Sequence, residues 1–289
     1  MSLKDMIPNT SPIAFPGLFG DWQFTVGPKL LDIGNGIYWY GALIAAGMLL
    51  AVWFCTKHAP EYGLTEDNIL DVGLWSIPMA IVGARLYYVV FYLDLYRSAD
   101  GSLDFGRMIR IWDGGLAIYG GIIASFVTGY IVSRVKKFSY LAAGDDCVMG
   151  VLIGQSIGRW GNFMNREAFG SVTDVLWRMR LWDYDGLYHD VHPTFFYESL
   201  WNAVGFFLLW RVLSKRRRFT GQNFLCYFLW YSLGRIWIEG LREDSLYLFG
   251  LTLFGAPVRV SQALSAVLLI VSASLLALGL YRHRERPAT

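Results

Sequence analysis

Seven stretches of this chain each approach the length of helix that a lipid bilayer demands. A hydrocarbon core of roughly 30 Å takes about 20 largely apolar helical residues. The stretches fall at approximately Tyr38–Cys55, Ile69–Tyr92, Leu116–Val132, Leu141–Asn162, Phe195–Leu213, Phe224–Leu241 and Val258–Tyr281. The third is short, and the fourth and sixth carry several polar groups. The pattern predicts an all-α, polytopic membrane protein, a single transmembrane domain over residues 1–289. Composition points the same way. Apolar residues make up 55% and charged residues 17%, against roughly a quarter charged in soluble proteins. The 12 Trp and 17 Tyr suit rings lying at membrane–water interfaces.

Charge placement supports seven crossings independently. Basic clusters follow the odd-numbered stretches: Lys57; Arg134, Lys136 and Lys137; Lys215 to Arg218; and Arg282, Arg284 and Arg286. The positive-inside rule then places the N-terminus outside and the C-terminus in the cytoplasm. Six crossings would not satisfy it. On the outer side, residues 93–113 form a loop with a turn signal at Asp100–Gly101. Residues 163–194, with Asp174, Asp183, Asp185, His189 and His192, read as a small extracytoplasmic cap inserted in the transmembrane domain. Pro8, Pro12 and Pro16 interrupt the start, so no cleaved signal is expected and insertion begins at the first spanning helix. A formal charge of +2 gives no reason for a nucleic-acid partner. Cys55, Cys147 and Cys226 contain no C-x-x-C pair, suggesting neither disulfide framework nor metal knuckle. No cofactor is expected.

Ionisable groups within the apolar stretches need a reason, because each costs at least ~2.5–3.5 kcal/mol at the membrane centre. Arg85, Arg159, Glu198, Arg235 and Glu239 are such groups, mostly toward the predicted outer helix ends. Static Arg–Glu pairing or snorkelling accounts for any one of them as well as function does; the set on one membrane side favours function. In the fourth stretch Gly150, Gly154 and Gly158 form a bare stripe suited to close helix approach. Gln155, Arg159, Asn162 and Arg166 form a polar stripe on another face. In the sixth, Tyr231, Arg235 and Glu239 stack at intervals of four, and Arg242, Glu243 and Asp244 continue outward.

The run Gly158-Arg159-Trp160-Gly161-Asn162-Phe163-Met164-Asn165-Arg166-Glu167-Ala168-Phe169-Gly170 resembles the signature G-R-x-G-N-F-x-N-x-E-x-x-G of the bacterial prolipoprotein diacylglyceryl transferases. Other stretches agree in order: Trp39-Tyr40-Gly41, Gly83-x-Arg85, Trp112-Asp113-Gly114-Gly115, His192-Pro193-Thr194 with Tyr197-Glu198, and Tyr231, Arg235, Glu239 and Arg242. The likeness covers nearly the whole chain. One position departs: where family members often carry His-Gly-Gly, this chain has Tyr119-Gly120-Gly121. A phenol with a pKa near 10 is a poor base. Either Tyr119 fills a hydrogen-bonding role or the histidine is not the essential base; the second is preferred.

The resemblance implies a reaction in the bacterial cytoplasmic membrane, at a site toward its outer leaflet. The diacylglyceryl group of phosphatidylglycerol passes to the lipobox cysteine of a prolipoprotein, giving a thioether and glycerol phosphate. Arg159 and Arg235 are the expected clamp for the phosphate, with Arg85 as a third arginine and Arg242 near the opening, because guanidinium stays charged and grips phosphate with two parallel bonds. Glu198, Glu239 or His192 accepts the thiol proton. Asn162 and Asn165 are expected to donate to phosphate or glycerol, Tyr40 and Tyr231 to position headgroup or peptide, Glu167 to orient an arginine, and Gly170 to permit a turn under the cap. The main rival is a polar-lined transporter or channel, which would carry polar residues through to the cytoplasmic face. A metal-dependent lipid-headgroup enzyme would need partners for Asp145 and Asp146, and none is near in sequence. In an inactive sorting partner the arginines and asparagines would be idle.

Overall fold

A computed structural model of the chain describes residues 3–33, 36–97, 101–243, 245, 247–253 and 256–284. Asp100, Asp244 and Arg286, used above, lie outside these. Seven long helices occupy the seven predicted stretches: α1 (Trp39–His58), α2 (Glu66–Phe91), α3 (Ile118–Lys136), α4 (Tyr140–Asn165), α5 (Thr194–Leu208), α6 (Gln222–Leu241) and α7 (Val260–Arg284). Among the described residues, four are long and apolar enough to cross a membrane: α1 extended to Tyr62, α2, α3 and α7. The other three differ for visible reasons. Asp145, Asp146 and Arg159 interrupt α4, and α6 carries Arg235 and Glu239. α5 has 15 residues before its bonding widens to a π-helix over Leu209–Leu213.

The chain forms two compact units, residues 55–143 and residues 1–54 with 144–289. In the first, α2 starts with a capping box. Thr65 Oγ1 accepts from the Asn68 amide at 3.2 Å, and Asn68 Oδ1 accepts from the Thr65 amide at 3.1 Å, so two orphan donors are satisfied reciprocally. α2 and α3 then touch through bare backbone. A Cβ on Gly120 would run into the Gly83 carbonyl and the Tyr87 side chain. Lys136 pairs with Asp71 at 2.7 Å.

In the second unit α4 and α5 run antiparallel. Phe163 lies on Phe195 with ring centroids 4.7 Å apart. Trp160 Nε1 donates to Ser199 Oγ at 3.1 Å, and Ser156 Oγ donates to the Ser199 carbonyl at 2.9 Å. α5 and α6 are joined by a reciprocal clasp. Trp201 and Trp230 stack 4.3 Å apart at 17°. Trp201 Nε1 donates to the Trp230 carbonyl at 3.0 Å and Trp230 Nε1 to the Trp201 carbonyl at 2.9 Å. Each indole occupies the space over a glycine on the other helix, Trp201 over Gly234 and Trp230 over Gly205. The same W-x-x-x-G spacing on both helices builds a two-fold contact with both indole N–H groups satisfied. Asp145 is no isolated acid: its carboxylate accepts from the amides of Gly221 at 2.7 Å and Phe224 at 2.9 Å, capping α6. The glycine stripe on α4 is used at Gly154, where the α1 backbone comes so close that a Cβ on Gly47 would lie 3.3 Å from Gly154 Cα, whereas a Cβ on Gly158 would meet nothing within 4 Å.

The predicted cap is only half of the head of this unit. β1 (Ile13–Ala14), β2 (Gln23–Phe24), β3 (Met179–Trp182) and β4 (Tyr188–Val191) form one antiparallel sheet in the order β2-β1-β3-β4. The proline-broken N-terminal stretch therefore supplies two strands, so the all-α expectation holds for the helices but not for the head. Ile13, Leu181 and Val191 are fully buried with Phe163, Phe169, Met179 and Phe195. Each buried aliphatic side chain contributes about 1.5–3 kcal/mol by leaving water, which fastens the N-terminal segment onto the end of α4.

Candidate functional site

The signature run spans the end of α4 and the strand-like segment after it. The helix closes with the Glu167 amide on the Asn162 carbonyl at 3.0 Å and the Arg166 amide on the Phe163 carbonyl at 3.2 Å, the paired bonds of a Schellman ending. The left-handed position usually filled by glycine holds Arg166 at φ 52°, a conformation costing of order 1–3 kcal/mol in a non-glycine residue. The guanidinium offsets that cost. Nε donates to the Ser11 carbonyl at 3.1 Å and Nη1 to the Met164 carbonyl at 2.5 Å. Arg166 is buried under the N-terminal segment, and burial pushes its pKa down to about 10, leaving it protonated at neutral pH. It thus leaves the polar stripe to which its sequence spacing assigned it, because the turn falls between Asn162 and Arg166.

The same ending folds Glu167 back over the helix. Its Oε1 accepts from Asn162 Nδ2 at 2.9 Å and Asn165 Nδ2 at 3.4 Å. The arginine that Glu167 was expected to orient is replaced by these two amides. Farther on, Gly170 is in extended contact. Its amide donates to the His192 carbonyl at 2.9 Å, and the Ser171 amide donates to the Leu241 carbonyl at 2.7 Å. A Cβ at Gly170 would meet Leu241 O and His192 Cβ at 2.8 Å, so Gly170 serves close approach to the end of α6 rather than a turn. Thr194 Oγ1 hydrogen-bonds the Ala168 carbonyl. These contacts hold the residue after Leu241, Arg242, against the helix ends.

Four of the predicted ionisable residues, with Arg242, meet around one carboxylate. Arg159 from α4 pairs with Glu198 Oε2. Arg235 Nη1 from α6 donates to Glu198 Oε1 at 3.2 Å, and Arg242 Nη1 lies 3.6 Å from the same oxygen. Arg235 Nη2 is 2.6 Å from Glu239 Oε2, though not aligned as a hydrogen bond. Glu198 and Glu239 are buried, whereas the Arg159 side chain keeps 26% of its surface exposed. Three guanidinium groups and two carboxylates thus make up this set of five. Beside it is a small cavity lined by Gln155, Asn202, Tyr231, Arg159 and Arg235 among others.

The remaining candidates are placed differently. Arg85 is buried in the other unit. Its Nε donates to Met108 O at 2.8 Å, Nη2 to Arg107 O at 2.8 Å, and Nη1 to Gly114 O at 2.5 Å and Gly115 O at 3.0 Å. Its donors therefore tie down the loop carrying Trp112-Asp113-Gly114-Gly115. Tyr119, at the start of α3, is part-exposed. Tyr40 has its ring against Gly161, and Tyr231 stacks at 6.0 Å on Tyr227. His192 lies in the head, where its Nδ1 is 3.1 Å from the Tyr197 hydroxyl, which itself accepts from Trp177 Nε1 at 2.7 Å. Burial lowers the His192 pKa from its ordinary value. Trp201 and Asn202 were missed by sequence reasoning, which followed charge. The repeated W-x-x-x-G was a signal for the first; a lone Asn in an apolar run gave little for the second.

Long apolar helices, together with a partly buried arginine–carboxylate cluster, define a multi-pass membrane protein. The sequence model of the prolipoprotein diacylglyceryl transferase family matches residues 28–278. Curated relatives agree. A phosphatidylglycerol–prolipoprotein diacylglyceryl transferase of Geobacillus kaustophilus is 42% identical over 247 residues, covering 83% of this chain and 87% of that protein. The enzyme of the same name from Lysinibacillus sphaericus is 44% identical over 223 residues (74% and 80%), and that from Finegoldia magna 42% over 242 residues (84% and 91%). The chain belongs to the prolipoprotein diacylglyceryl transferase family. The transporter or channel reading finds no support among these relatives.

Proposed function

We propose that this protein transfers the diacylglyceryl group of phosphatidylglycerol to the lipobox cysteine of a prolipoprotein, and that the Arg159–Arg235–Arg242 cluster around Glu198 receives the lipid phosphate. The observation that carries this is the convergence of three guanidinium groups, from Arg159, Arg235 and Arg242, on the single Glu198 carboxylate in a partly buried site. The thiolate sulfur attacks a glycerol carbon, the C–S bond forms, and the C–O bond breaks with its electron pair on phosphate oxygen. A phosphodiester becomes a monoester, so negative charge grows where the arginines stand; preorganised donors in a dry site stabilise that charge most strongly. As the phosphate enters, Arg159 and Arg235 exchange part of their bonding to Glu198 for phosphate oxygens. Glu198, held by arginines on both oxygens, organises them. Glu239, whose Oε2 is buried without a hydrogen-bond partner among the described residues, takes the thiol proton. His192, engaged with Tyr197, stands outside this step. Asn162 and Asn165, fixed by Glu167, and Tyr40 beside Gly161 border the approach to Arg159; Arg85 acts by holding its loop.

The same reading makes all seven helices membrane spans, with the N-terminus outside, the C-terminus cytoplasmic, and the β-sheet head at the outer face of the bacterial cytoplasmic membrane. Support comes from the alternation of basic loops. The test of the function is direct. Purified protein is incubated with phosphatidylglycerol and a lipobox peptide, and the peptide is weighed. A mass gain of one diacylglyceryl group with release of glycerol phosphate is expected; an unmodified peptide overturns the reading.

A further inference from the structure

One helical turn from the arginines, the cavity changes character. Gln155 precedes Arg159 by four residues on α4, and Asn202 follows Glu198 by four on the antiparallel α5, so both amides stand about 6 Å along the same direction. Tyr231, four residues before Arg235 on α6, is level with them. All three line the cavity. Neither amide is satisfied by the protein. Asn202 is 6% exposed and has no hydrogen-bond partner among the described residues. Gln155 Nε2 donates to the Tyr227 hydroxyl at 3.0 Å, while its Oε1 is buried without a partner. Exchanging the two ends of that amide leaves the same result, one end on Tyr227 and the other unmet. A buried polar group left unpaired is costly; Gln155 Oε1 is one, and the Asn202 amide stands on the same cavity wall.

Resting on the function proposed above, we propose that Gln155 and Asn202 form a neutral subsite for the hydroxyl groups of the lipid headgroup, one turn beyond the phosphate. The donor–acceptor chemistry selects this ligand class. An amide presents both a donor and an acceptor, and a hydroxyl answers both. An ammonium headgroup only donates, so it could meet Gln155 Oε1 but would leave the Asn202 N–H groups unmet and place a cation among arginines. A second phosphate only accepts. The subsite therefore discriminates a polyol headgroup from an amine or an alkyl one, and Gln155 and Asn202 are specificity-determining residues.

The test compares transfer to a lipobox peptide from phosphatidylglycerol and from phosphatidylpropanol of the same acyl chains, in the full-length protein and in Asn202→Leu and Gln155→Met. The readout is the ratio of kcat/KM for the two lipids. The wild type should favour phosphatidylglycerol by about tenfold or more, and each variant should bring the ratio down toward one. Equal use of the two lipids by the wild type overturns the proposal, as does a wild-type preference that both variants retain. If Asn202→Leu fails to insert, Gln155→Met decides alone. Transfer from neither lipid would instead overturn the proposed function, and this subsite with it.

Discussion

Arg85 and Arg235 both lie in long, largely apolar helices, and the chain satisfies them in opposite ways. Arg85 donates only to backbone carbonyls, at Arg107, Met108, Gly114 and Gly115. Those acceptors are neutral and fixed, and they hold the guanidinium in one orientation. Arg235 instead divides itself between Glu198 and Glu239, and it shares Glu198 with Arg159 and Arg242. A guanidinium enclosed by carbonyls holds a loop. One held by carboxylates that several cations share can exchange partners when a stronger anion arrives. A buried arginine is therefore classified by its acceptors, and burial alone says little.

Breaking each side of that contrast should give different losses. Arg235→Lys or Arg159→Lys keeps the charge but removes the planar fork, and transfer to a lipobox peptide should fall about 10²–10³-fold while the protein still inserts; wild-type turnover in either would remove the clamp. Arg85→Lys abandons several of the loop carbonyls and should destabilise the protein by about 2–3 kcal/mol, with thermal unfolding changing more than turnover per folded molecule. A loss of turnover at unchanged stability would move Arg85 to the chemical step. Gly205→Ala or Gly234→Ala pushes an indole out of the Trp201–Trp230 clasp and should cost about 1–3 kcal/mol, seen as a lowered Tm with altered Trp fluorescence. Tyr119→Phe should alter turnover less than about twofold, the range of a part-exposed side chain with no special contact; abolished turnover would give its hydroxyl a chemical role.

The head offers a milder probe. Hydrogen bonds from Arg180 and Arg178 hold the Asp190 carboxyl below its usual pKa, and the bond from His189 does the same for Asp183. A depressed folded-state pKa contributes stability that is present above the unfolded value near 4 and is lost as pH falls through the lower folded value. Amide-exchange protection of the β3–β4 hairpin should hold from neutral pH down to about pH 4 and decline below it.

Much of this was legible in the residues. Apolar length located all seven helices, and the signature named Arg159, Asn162, Asn165 and Glu167, while four-residue spacing named Arg235 and Glu239. What spacing could not give was the partner of each group. Glu167 was expected on an arginine and holds two asparagines, because the Schellman ending folds it back over Asn162. Arg166 kept helical spacing in sequence but falls beyond the helix end. The head was read as residues 163–194 alone, since two-residue strands such as Ile13–Ala14 have no periodicity to detect and pair only through distant chain. His192 was a candidate by residue type, and only coordinates could direct it to Tyr197.

The central claim is that a lipid phosphate settles among Arg159, Arg235 and Arg242. A structure of the protein determined with phosphatidylglycerol tests it most directly. The phosphate is predicted within hydrogen-bond distance of Arg159 and Arg235, with those guanidinium groups partly drawn away from Glu198. A phosphate bound elsewhere, with all three arginines still closed on Glu198, would contradict it.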